Sequence, residues 1–125
     1  MKPDILSKAD IKLLVDTFYD KAKINPVIGF IFTVVAKVNW EHHLPKMYAF
    51  WESVLIGGPA YGGNPMVPHL QLSKLTPLTE KEFSAWLSIF NETMDELFEG
   101  PVAEEGKARA ANIAALMLYK IQSVK

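Results

Sequence analysis

The stretch TEKEFSAWLSIFNETMDELF, residues 79–98, decides the fold class. Thr79 followed three residues later by Glu82 is a capping box, in which each side chain satisfies a backbone amide that a helix start leaves unpaired. Phe83, Trp86, Leu87, Phe90, Met94, Leu97 and Phe98 then recur at intervals of three and four, the period of one helical face. Gly100-Pro101 closes the stripe. Beyond it, residues 102–124 place Ala110, Ile113, Ala114, Met117, Leu118 and Ile121 at the same period, with alanines small enough to let another helix come close. Toward the N-terminus, Ser7 and Asp10 open a helix over 7–23 whose buried face is Ile11, Leu14, Val15, Phe18 and Ala22, with Tyr19 at its edge. Asn25-Pro26 ends it. A further helix spans Trp40 to Ile56 on His43, Met47, Phe50, Trp51, Val54 and Leu55, with Pro45 falling early and Gly57-Gly58-Pro59 at its end. The expectation is four main helices in one all-α domain over residues 1–125.

Two segments lack that period. Residues 27–38 are nearly all apolar and rich in Val and Ile, so propensity allows a strand. No partner strand exists elsewhere in the chain, and short helical turns are expected instead. Residues 57–68 hold four glycines and three prolines, so an irregular loop is expected there, leading into His69 within Pro68-His69-Leu70-Gln71-Leu72.

Composition removes several classes of function. The chain has no cysteine, which excludes disulfides, thiolate catalysis and cysteine-ligated metal centres. Thirteen basic and 14 acidic residues, dispersed to a net charge of −1, provide no footprint for nucleic acid or an anionic membrane. No apolar run reaches the ~18–20 residues of a membrane span, and the first ten residues lack the pattern of a secretory signal. A cytoplasmic protein is expected.

Three histidines are the main carriers of chemistry. His42 and His43 point about 100° apart on a helix, so only one can face a pocket. His43 shares its face with Lys46, Met47 and Phe50, and is the inward one. His69 has two readings: an imidazole satisfied in the core or at the surface, and an axial ligand of haem iron, which a neutral imidazole nitrogen suits. Tyr19 and Trp86 read by default as packing. A helical zinc pair fails, because His42-His43 lacks the i, i+4 spacing. The glycines of 57–63 lie between helices and so lack the strand-to-helix context of a phosphate loop, while Ser53 and Ser84 have no base in register.

An ordered set of short motifs changes the weighting. Phe18-Tyr19, Ile31-Phe32, the run Trp40 to Trp51 with His43 and Phe50-Trp51, Tyr61-Gly62-Gly63-Asn64-Pro65 leading to His69-Leu70, and Phe83 to Phe90 resemble, in order and spacing over residues 7–122, the bacterial group III truncated haemoglobins. The resemblance implies a globin-like two-over-two helical sandwich around haem b (iron protoporphyrin IX). It implies His69 on the iron, and Tyr19, His43 and Trp86 facing the gas ligand. It also implies Phe32 stacked on the porphyrin, and Lys46, Met47, Phe50 and Leu72 lining it, with Lys46 as a propionate partner. Three features depart from the pattern or modify it: the glycine pair that other groups carry after the first helix is missing, Met47 replaces a branched aliphatic, and Pro45 bears on how far His43 swings.

The implied function is reversible binding of dioxygen and other diatomic ligands, including nitric oxide and carbon monoxide. The alternative is a haem enzyme acting as a nitric oxide dioxygenase or peroxidase, fed by an external reductase because these residues carry no reductase domain. A haem-free four-helix interaction module is the third reading.

Overall fold

Ser7 and Asp10 begin the first helix as expected: the Ser7 hydroxyl accepts from the Asp10 amide, and the Asp10 carboxylate accepts from the Ser7 amide at 3.2 Å. The computed structural model describes residues 2–57 and 66–123, except for the side chains of Met66 and Val67. Its helices are α1 (Lys8–Ala22), α2 (Trp40–Leu55), α3 (Met66–Ser73), α4 (Glu80–Leu97) and α5 (Pro101–Ser123), with no strand among the described residues. None of these helices is long and apolar enough to cross a membrane. The Thr79–Glu82 capping box starts α4, and its hydrogen bonds outweigh the effect of burial to hold the Glu82 carboxyl below its ordinary range.

The apolar run after α1 winds as turns. Asn25 Oδ1 accepts from the amides of Val27 and Ile28, and Ile31–Val35 forms a π-helical turn. That turn buries Ile31 and directs Phe32 toward the interior. In α2, Pro45 lies six residues in, past the first turn, so the Glu41 carbonyl loses its usual helical donor; the helix continues through it.

One expectation is corrected. The irregular loop was expected to run through residue 68, but Met66, Val67 and Pro68 are helical, and His69 stands on a helix rather than at a loop end. Pro68 is the third residue of α3, where the amide it lacks has no intrahelical acceptor in any case. The four main helices expected are all present, and α3 is a further, short one among the described residues. The rest of that loop, including Gly58-Pro59 and Tyr61 to Pro65, and the end of α5 at Val124 lie outside the described residues.

Helix α1 packs on α2 and crosses α4, α4 packs on α5, and α3 lies against α5. The helices thus pack as two pairs, α1 with α2 and α4 with α5, the two-over-two arrangement expected. Its core is Leu14, Phe18 and Ala22 of α1 against Phe90 and Met94 of α4 and the alanines of α5. Gly106 lets α5 approach: a Cβ there would sit 2.7 Å from the Met94 methyl and 3.4 Å from Leu55.

The start of α5 is capped from across the molecule. Gly100, which precedes it, has no side chain to cap with and a φ of +138°. Asp4 supplies the missing carboxylate, accepting from the amides of Val102 at 3.0 Å and Ala103 at 2.9 Å. Any Cβ on Gly100 would fall 2.6 Å from that carboxyl carbon, so the glycine and the aspartate require each other. Burial tends to raise the Asp4 carboxyl, but the amides of Val102, Ile5 and Ala103 outweigh it and hold the group below its ordinary value of 3.8. Because the folded pKa is the lower one, this contribution is complete above that value and disappears as pH falls through the folded pKa. Asp4→Ala is expected to cost about 0.5–2 kcal/mol in urea unfolding at pH 7, a cap's usual worth, with the deficit shrinking in strong acid.

Candidate functional site

The helices leave a cavity of about 400 Å³ between them. Its size is within the ~300–1,000 Å³ usual for small-molecule and cofactor sites. Every residue singled out from the sequence lines it. Tyr19 comes from α1, Phe32 from the π turn, His43, Lys46, Met47 and Phe50 from α2, His69 and Leu72 from α3, and Trp86 from α4. His42, the neighbour that cannot face the cavity together with His43, is exposed.

The walls are mostly apolar and heavily aromatic. Trp86, Phe90 and Trp51 form a stacked series, with ring centroids 5.7 and 4.8 Å apart, and Phe18 meets Trp86 and Phe90 edge-on. Edge and offset contacts of this kind hold rings in defined orientations, so the Trp86 indole has little freedom to turn.

The polar centre of the cavity is a pair. Tyr19 Oη and His43 Nε2 lie 2.9 Å apart. Tyr19 is 8% exposed, and burial pushes its hydroxyl well above the usual phenol range, so it stays protonated. Burial, assisted by the charges of His69 and Lys46, lowers His43 from its ordinary 6.5 and favours the neutral imidazole. Neutral imidazole carries one N–H, so the pair has two states. Either the Tyr19 hydroxyl donates to a bare Nε2, or an Nε2–H donates to the Tyr19 oxygen. Only the second leaves the phenolic proton pointing into the cavity.

Among the described residues, no three His, Asp or Glu side chains converge as a metal cage. Single imidazoles at His69 and His43 in an apolar, aromatic hollow instead suit a metal whose remaining ligands arrive with a flat organic ring. The Lys46 ammonium, on an exposed residue at the cavity wall, suits the carboxylates such a ring carries. The donor set and shape fit haem.

Sequence reasoning missed several neighbours. Glu82, Phe83, Ile113, Ala114 and Met117 also wall the cavity, and Trp40 packs on Tyr19 and His43 from outside it. Trp40 was discoverable, because it precedes His43 by three residues and three residues is one helical face.

The sequence pattern of the bacterial-like globin family matches residues 4–118. The chain is 29% identical over 126 residues to the group 3 truncated hemoglobin ctb of Campylobacter jejuni, covering 96% of this chain and 97% of that protein. The crystal structure of group III truncated hemoglobin from Campylobacter jejuni is similar with a TM-score of 0.82 at 27% identity, over 97% of this chain and 95% of that one.

The His43 imidazole is expected to titrate below 6.5 in an NMR pH series. The unfolded chain binds the proton more readily, so stability contributed by neutral His43 is complete above that value and declines as pH falls toward the folded pKa.

Proposed function

Because the chain belongs to the bacterial-like globin family, and the relatives it matches are group III truncated haemoglobins, we propose that it reversibly binds dioxygen and other diatomic ligands at haem b held in the cavity. Haem binding is the family's property. The finer reading rests on one observation: His69, Trp86 and the hydrogen-bonded Tyr19–His43 pair line the same apolar hollow.

Haem, when bound, supplies an iron centre with a coordination position for dioxygen, nitric oxide or carbon monoxide. His69 offers the imidazole nitrogen that would anchor it. Tyr19 and the Trp86 indole N–H are donors in a space from which Phe32, Met47, Phe50 and Leu72 exclude water. His43, donating from Nε2 to the Tyr19 oxygen, turns the phenolic proton toward the ligand. Each such hydrogen bond contributes ~0.5–1.5 kcal/mol, so Tyr19 and Trp86 together slow ligand release on the order of tenfold to a hundredfold. Lys46 pairs with the porphyrin carboxylates. The proposal takes residues 1–125 as one domain and places it in the cytoplasm.

The same pair favours a second reading, a haem enzyme acting on nitric oxide or peroxide with an external reductase. A neutral imidazole within the cavity is a base, and proton transfer at the ligand is what cleavage of a peroxide requires of the protein.

Protein incubated with hemin is expected to show a Soret band that His69→Ala abolishes; a colourless wild type would refute the reading. In rapid mixing, Tyr19→Phe and Trp86→Phe should each speed dioxygen dissociation roughly two- to tenfold. Unchanged off-rates in both variants would remove the donor roles.

A further inference from the structure

A third ring touches both partners of the Tyr19–His43 hydrogen bond. Trp40 is the first residue of α2, one turn before His43. Its ring centroid lies 5.3 Å from Tyr19, 5.8 Å from His43 and 6.0 Å from Phe32. The contacts with Tyr19 and His43 are edge-on, the arrangement that fixes relative ring orientation. On its outer side the Lys23 ammonium stands 5.0 Å over the ring.

Trp40 is half-buried, and what lies beyond it gives the placement meaning. A second, more polar hollow opens between α1 and α2, bordered by Trp40, Leu44 and Tyr48 on one side and by Lys12 and Asp16 on the other, and it reaches Tyr19. Tyr19 therefore walls two spaces, the apolar cavity inside and the polar hollow outside. Trp40 borders the outer space and packs on three residues that wall the inner one. Two residues bordering the outer hollow are joined by a hydrogen bond in which the Tyr48 hydroxyl donates to Asp16; burial, together with that carboxylate, pushes the Tyr48 hydroxyl up to about 12.

A hydrogen bond sealed from water is stronger than the same bond open to it, because water offers each partner a replacement. His43 is half-buried at the edge of the cavity, where water could replace Tyr19 as its partner. We propose that Trp40, clamped by Lys23, is the positioning residue for the Tyr19–His43 pair: it separates His43 from the outer hollow that Tyr19 borders and keeps His43 Nε2 on the Tyr19 hydroxyl. The consequence for ligand release rests on the haem-binding reading above; the sealing of the pair does not.

The test uses the exchangeable proton shared by Tyr19 and His43, sought as a downfield ¹H NMR signal on protein as purified, with or without haem, so that the two readings fail separately. Wild type is expected to show it. Trp40→Leu should lose it to exchange with water, and Trp40→Phe, which keeps a ring, should retain it. In haem-loaded protein, Trp40→Leu should speed dioxygen dissociation roughly two- to tenfold, the worth of one hydrogen bond, and should have no further effect in a His43→Leu background. A retained signal in Trp40→Leu, or the same acceleration without His43, overturns the proposal. If circular dichroism shows Trp40→Leu unfolded, Lys23→Met is read instead: it leaves the ring in place but unclamped, and it must broaden the signal. An unchanged signal there overturns the proposal equally.

Discussion

A chain of 125 residues that keeps a hollow of about 400 Å³ among its own aromatics has to close the rest of its interior without gaps. Side chains facing a void lose the dispersion contacts a packed neighbour would supply. The remaining contacts are correspondingly tight. Leu14, Ala22, Met94, Ala110 and Ile121 are fully buried, and Gly106 brings α5 so close to Met94 and Leu55 that a larger residue there would have to displace the Met94 methyl. A flat apolar group seated in the hollow restores the missing contacts, so the fold and its proposed cofactor stabilise each other by the same physics.

The cavity's chemistry comes from placing few polar groups among apolar walls, with Tyr19 buried and His43 half-buried. A tyrosine hydroxyl on the surface donates and accepts freely with solvent. Tyr19 has instead a single partner, His43, so the position of one proton between them determines what the hydroxyl offers to the interior. That economy explains the concentration of rings around it, since Phe18, Phe32, Trp40 and His43 each touch it edge-on.

Much of this was legible in the chain. Periodicity and capping boxes identified the long helices, because an amphipathic face and a satisfied first turn are local properties. The nine residues singled out for the site do line one cavity, but periodicity alone left His69 and Trp86 as ordinary packing. Their selection came from the ordered family motifs. The density of proline before His69 misleads at α3, because a proline in the first helical turn breaks nothing.

What the sequence determined by itself was therefore whatever depends on neighbours within a few residues: helix starts, buried faces, the absence of thiol chemistry, and the direction of His43 relative to His42. What only the tertiary structure decided was whatever depends on residues far apart in the chain. Asp4 caps a helix that begins nearly a hundred residues later, Tyr19 meets His43 across 24 positions, and Trp40 reaches back to Tyr19 from outside the cavity. Such contacts are set by how helices cross and how closely they approach, and no local period records that.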